Sequence, residues 1–163
     1  MFSNQVAFDI VLHGLRQQGR FSYKTVGMNH DNGKPVIQCM YRAPNGDRCA
    51  AGMLMNDSWY RYDYEGCSAS RINAFYDRGF NMSLLHELQM AHDKAASREN
   101  YGEGDAWEFW EDAMCKIASD FDLHYTERLT SIDVQEPAPV SGPDTAAYAK
   151  GYGIELSTVC ELA

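Results

Sequence analysis

Cys39-Met40-Tyr41-Arg42-Ala43-Pro44-Asn45-Gly46-Asp47-Arg48-Cys49-Ala50-Ala51-Gly52 sets a strong turn signal between two cysteines. Pro44 presets the first central position of a type I turn, Asn45 suits the second, and Gly46 supplies the left-handed residue that closes a three-residue hairpin loop with a bulge. In that register Ala43 faces Asp47, Tyr41 lies opposite Cys49 and Cys39 lies opposite Ala51, all on one face. The cysteines are then diagonal neighbours about 7 to 8 Å apart, whereas a disulfide needs β-carbons at about 3.8 Å. A two-residue Asn-Gly loop is the rival register and sends the cysteines to opposite faces. Neither register favours a bridge. The reading predicts a hairpin over about 36–54, within a small antiparallel sheet.

Working outward, Pro35-Val36-Ile37-Gln38 leads into this stretch with β-branched residues, and Asp31-Asn32-Gly33 offers an earlier turn. Before it, Ala7, Ile10, Val11, Gly14 and Leu15 recur at helical spacing over 4–18, ahead of Gly19 as a stop. After it, residues 56–66 crowd Trp59, Tyr60, Tyr62 and Tyr64 among charges, which fits an irregular, partly packed loop. A short helix follows within 70–80. Leu84, Leu88, Ala91 and Ala95 specify a longer one, capped by Asn81 or Ser83 and ending near 97–100. Asp105-Ala106-Trp107-Glu108 has the spacing of a capping box, and Trp107, Trp110, Met114, Ile117 and Phe121 keep one side of the next helix apolar. Three or four helices packed on one small sheet place the chain in the α+β class. Residues 1–130 form the expected single domain. Pro137, Pro139, Gly142 and Pro143 then break periodicity, and 131–163 reads as a tail, partly flexible or docked through residues such as Tyr148 and Ile154.

The chain has 163 residues, 45% of them apolar, which suffices for one core. Asp and Glu outnumber Lys and Arg by 23 to 14, for a formal charge of -9. That balance speaks against direct nucleic-acid binding and permits a basic partner, a DNA-mimic role or plain solubility. The amino terminus lacks a signal-peptide pattern and no apolar run is long enough to cross a bilayer, so no membrane association and a cytosolic location are expected. The five cysteines form an odd set without a C-x-x-C pair, and reduced thiols are expected there.

Candidate chemistry is sparse. Cys49 with His92 makes a possible thiol pair for a cysteine-dependent hydrolase or transferase. Asp93 points about 100° away from His92 along the helix, which makes it a poor orienter. The bland alternative is Cys49 as a small buried residue and His92 as a hydrogen-bonded clamp. Cys39, Cys49, His86 and His92 form a possible structural zinc set, although the spacing of the two cysteines is not that of a zinc knuckle and the two histidines lie on different sides of one helix. Arg42 and Arg48 face each other across the preferred register, where they either grip an anion or pair with Glu65 or nearby aspartates. As a binding surface, Trp59, Tyr60, Tyr62 and Tyr64 offer aromatic anchors, and Glu108, Glu111 and Asp112 an acidic steering face. No cofactor is implied, since no glycine-rich phosphate cradle or dinucleotide fingerprint occurs.

The segment 39–52, the Glu65-Gly66 step and Leu84-Leu85-His86-Glu87-Leu88-Gln89-Met90-Ala91-His92-Asp93 together resemble a family of small uncharacterised bacteriophage and prophage proteins. Members similarly carry an amino-terminal helix, a Tyr-Arg hairpin ending in Cys-Ala-x-Gly, a Leu-Gln-x-x-His-Asp helix and a Trp-bearing helix. The resemblance covers about residues 4–125 and carries no catalytic residues. It implies a phage-type accessory protein acting in the host cytosol, with a host or phage protein as partner, in a host-takeover or anti-defence role.

Overall fold

Local capping chemistry sets the long helices. In the computed structural model, which describes residues 2–126, α1 spans Asn4–Gln18 and stops at Gly19, whose left-handed backbone (φ 67°) returns its N–H to the Leu15 carbonyl at 2.9 Å. The Asn81 side chain accepts from the N–H groups of Ser83 and Leu84 at 3.1 and 3.3 Å and starts α4, Met82–Tyr101. Asp105 does the same for Trp107 and Glu108 at 2.8 and 3.1 Å and starts α5, Ala106–Asp120. Two short helices complete the set: α2, Ala50–Met53, and α3, Asn73–Asp77. The tail expected from residue 131 lies outside the described residues.

The sheet is a two-stranded antiparallel ribbon, so the small α+β class stands as read. Its strands are β1, Tyr23–Met28, and β2, Pro35–Cys39, with Tyr23 opposite Cys39, Thr25 opposite Ile37 and a bulge at Val26. The earlier turn closes it: the Asn29 N–H donates to the Lys34 carbonyl at 2.7 Å and Gly33 takes φ 66°.

The hairpin expected over 36–54 is corrected here. Its turn forms, with the Ala43 N–H on the Asp47 carbonyl at 2.8 Å and Gly46 at φ 90°, but no ladder continues from it. Cys49 donates its N–H to Met40 rather than pairing with Tyr41, and its sulfur caps α2 by accepting from the Gly52 N–H at 3.4 Å. Ala-Ala-Gly is a poor strand sequence, and Gly52 lets the resulting helix α2 lie close against the Tyr41 backbone. A β-carbon on Gly52 would lie 2.1 Å from the Tyr41 carbonyl oxygen. Strand β2 therefore pairs backwards along the chain, with 23–28.

The core lies between α1, α2, α4 and α5. Phe8, Leu12 and Leu15 of α1, Met53 of α2, Leu84 and Leu88 of α4 and Trp110 and Met114 of α5 are buried. Trp110 is fully buried, while Trp107 is half-buried and stacks on Phe21 with ring centres 4.5 Å apart. Burying an indole of this size is worth a few kcal/mol, which makes α5 a principal wall of the core. Beside it, α4 also packs against β2 and α2, so one face of α4 is lined up with the end of the ribbon. No helix of the described residues is long and apolar enough to cross a membrane.

Candidate functional site

Helix α4 turns Leu85 and Leu88 inward and thereby sets Gln89, His92 and Asp93 against the last residue of β2. The His92 ring is fully buried, edge-on to Phe21 at 5.5 Å. Its Nε2 accepts the Ser22 backbone N–H at 3.2 Å. A nitrogen that accepts has its lone pair free, so the ring proton sits on Nδ1. That Nδ1 lies 3.4 Å from Cys39 Sγ and 3.2 Å from Asp93 Oδ1. Gln89 ties the group together: its Nε2 donates to Cys39 Sγ at 3.1 Å and to Asp93 Oδ1 at 2.7 Å, and its Oε1 accepts the Ala51 N–H at 2.9 Å. One amide thus links β2, α2 and α4.

Two expectations are corrected by this geometry. The sulfur against His92 belongs to Cys39, because β2 ends on α4 while Cys49 is spent as the cap of α2. Asp93 also reaches His92 despite the divergence of adjacent helical residues. Gln89, one turn earlier, pulls the carboxylate across to the imidazole. Of the proposed metal set, Cys39 and His92 come together with Asp93, their ligand atoms within 4.8 Å of one another. His86 stays on the exposed rim, and Cys49 does not join the trio.

The same Ser22 bond decides what the trio can do. A metal on Nδ1 needs the imidazole proton on Nε2, where it would point at the Ser22 N–H; the residues do not fit a cation in this arrangement. A general base toward Cys39 needs an unprotonated Nδ1, and this tautomer carries the ring proton there. Burial pushes the Cys39 thiol well above its ordinary pKa, and neighbouring Cys49 and Asp93 push the same way. For Asp93, burial works upward, but the bonds from His92, Cys39 and Gln89 outweigh it and hold the carboxyl below the usual range. The resting state is a protonated thiol beside a carboxylate.

Cys39, Gln89 and Asp93 line a cleft of about 330 Å³ between the end of β2, α4 and the 66–70 segment. Gln38, Ser68 and Ser70 stand on one side; Met82, Leu85 and Met90 supply an apolar wall. Tyr41 fixes that segment by donating its hydroxyl to the Cys67 carbonyl at 2.6 Å. Gly66 is needed there, since its φ is 79° and a β-carbon would lie 2.4 Å from Gln38 Nε2.

The other candidate residues lie elsewhere. Arg42 and Arg48 both pair with Asp57 and both donate to the Met55 carbonyl, and Arg42 stacks on Tyr60 at 4.3 Å. Glu65 takes the backbone N–H groups of Tyr41 and Arg42 at 3.0 and 2.9 Å and the Tyr60 hydroxyl at 2.9 Å. Burial and this bond to Glu65 push the Tyr60 phenol up to about 12. Trp59 packs edge-on against Phe75 at 5.2 Å beneath Arg78, Tyr64 is half-buried, and Tyr62 alone of the four aromatics is 78% exposed. On α5, Glu108 and Asp112 face solvent, whereas Glu111 holds Arg16 through two bonds of 2.9 and 2.7 Å and accepts the Tyr125 hydroxyl at 2.6 Å. Gln89, which the sequence reading places only in the Leu-Gln-x-x-His-Asp pattern, and Ser22 are the site residues to which it assigns no role. The Gln89-to-Asp93 spacing of four was the visible signal for the first; a backbone N–H has none.

Comparison with family models, with curated proteins and with solved structures yields no match.

Proposed function

We propose that this protein is a non-enzymatic binding protein of the phage accessory kind, acting in the host cytosol by engaging a host macromolecule and inhibiting or redirecting it. One observation carries the non-enzymatic part: the Ser22 N–H on His92 Nε2, which leaves Nδ1 protonated and denies Cys39 a base. The cleft that remains is a place to bind rather than to react. Its Asp93 carboxylate and the formal charge of -9 favour a basic partner. The ribbon leaves Val26, Met28 and Val36 exposed, and the 56–66 loop leaves Tyr62 exposed, which gives such a partner apolar contacts beyond the cleft. The accessory role itself rests on the resemblance of residues 4–125 to phage proteins.

Alkylation of the native chain with iodoacetamide, read residue by residue by mass spectrometry, tests this. The exposed Cys67 and Cys115 label before Cys39, which labels at least about tenfold more slowly because its thiolate is disfavoured. Labelling of Cys39 that is faster than that of Cys67 and is lost in His92→Ala would overturn the reading in favour of thiol catalysis.

A further inference from the structure

We propose that the cleft on α4 receives the side chain of an arginine presented by a partner protein, with Asp93 as its counter-ion. The inference deepens the binding reading above and rests on it. Asp93 is held by the side chains of Gln89, His92 and Cys39, none of them a lysine or arginine. The Gln89 amide and the His92 Nδ1–H both fall on Oδ1, and no Lys or Arg pairs with this carboxylate among the described residues. Its side chain nevertheless remains 42% exposed. Other acids of this chain close on arginines of their own: Glu111 on Arg16, Asp47 on Arg20, Asp57 on Arg42 and Arg48. Asp93 has the donors that fix a carboxylate in place and lacks the cation that neutralises it.

The rest of the cleft suits a guanidinium on an alkyl stem. Among the described residues no Lys or Arg lines it; the one imidazole of its lining, His86, stands on the exposed rim. Ser68 and Ser70, bonded to each other at 2.8 Å, and Gln38 offer further oxygen acceptors across from Asp93. Met82, Leu85 and Met90 provide apolar surface for three methylenes, and methionines adapt their shape to what they cover. A volume of about 330 Å³ is at the small end of ligand clefts and matches a single long side chain rather than a folded element. Arginine fits better than lysine because its planar fork engages several separated acceptors and sheds water more easily. A free amino acid fits worse than a residue within a chain, since no Lys or Arg among the described residues lines the cleft to pair with its carboxylate.

The test is a titration of the isotope-labelled full chain, followed by NMR, with three probes: acetyl-arginine methylamide, its lysine counterpart and its citrulline counterpart. Citrulline keeps the shape and removes the charge. The expected result is saturable shifts at the Gln38 and Gln89 side-chain amides and at Ser68 and Ser70 with the arginine probe, with citrulline at least roughly tenfold weaker and lysine in between. Asp93→Asn abolishes the shifts. Ser70→Lys, which places a cation on the exposed rim and leaves Asp93 intact, also abolishes them. Absence of saturable shifts in the wild-type chain, equal response to citrulline, or binding that survives Asp93→Asn would each overturn the arginine assignment. An inert Cys39 alongside such a failure leaves the non-enzymatic reading standing, whereas a reactive Cys39 removes that reading whatever the titration shows.

Discussion

Glu65 and Asp93 are carboxylates on either side of the same short segment, residues 39–42, and they are used in opposite ways. Both oxygens of Glu65 are occupied: Oε2 accepts the Tyr41 N–H, and Oε1 accepts the Arg42 N–H and the Tyr60 hydroxyl. Asp93 takes the Gln89 and His92 bonds on one oxygen, Oδ1, and is held by side chains rather than by backbone. A carboxylate whose oxygens are filled by main-chain donors is a knot in the fold. One that is held by side chains at the floor of a cleft and still reaches solvent has capacity left for something else. The first is where substitution should cost stability, and the second where it should cost binding.

The sharpest way to break this contrast is Glu65→Ala. It strands two backbone N–H groups and a phenol, and the expected loss is about 3 to 5 kcal/mol in urea unfolding at neutral pH. A loss below about 1 kcal/mol would mean that water replaces the carboxylate freely and that Glu65 is no knot. Asp93→Asn is the smaller change. The asparagine oxygen still accepts from Gln89 and His92, so the expected loss is about 1 kcal/mol or less, measured the same way. If both substitutions cost the same, Asp93 is structural and the distinction between the two carboxylates collapses.

The contrast also shows how far this sequence could be read. The long helices were legible because their information is local: apolar residues at helical spacing, closed by Gly19, Asn81 and Asp105. The turn at Pro44-Asn45-Gly46 was legible for the same reason. What the turn joined was not. Strand β1 is exposed along nearly its whole length, so it carries no alternation to betray it, and Ala50-Ala51-Gly52 enters a helix packed on Tyr41, a contact that no spacing encodes. The site divides along the same line. Gln89 and Asp93 are four apart on one helix and could be paired on paper. Cys39 meets His92 across 53 residues, and that meeting follows from where β2 ends on α4. Cys49, in the more conspicuous motif position, was therefore the wrong sulfur.

The smallest expected effect concerns acid. Asp93 is surrounded by His92 and Gln89 on its own helix and by Cys39 from β2, with Cys49 behind Cys39. Burial raises its carboxyl, but the bonds it accepts and the attraction of His92 lower it by more, so the folded value lies below the unfolded value of about 3.9. A depressed folded value means that the ionised group contributes stability above the unfolded value and loses it as pH falls through the folded one. Asp9 and Glu99 act oppositely, because burial raises both. Acid unfolding of the wild type mixes the two signs. The difference in stability between wild type and Asp93→Asn isolates the one of interest. It should stay flat above about pH 5 and shrink below about pH 4, by a modest amount because solvent screens a side chain that is 42% exposed. A difference that instead grows in acid would place the folded value of Asp93 above the unfolded one. These donors would then fail to hold the charge, and the carboxylate could not serve as a counter-ion at the floor of the cleft.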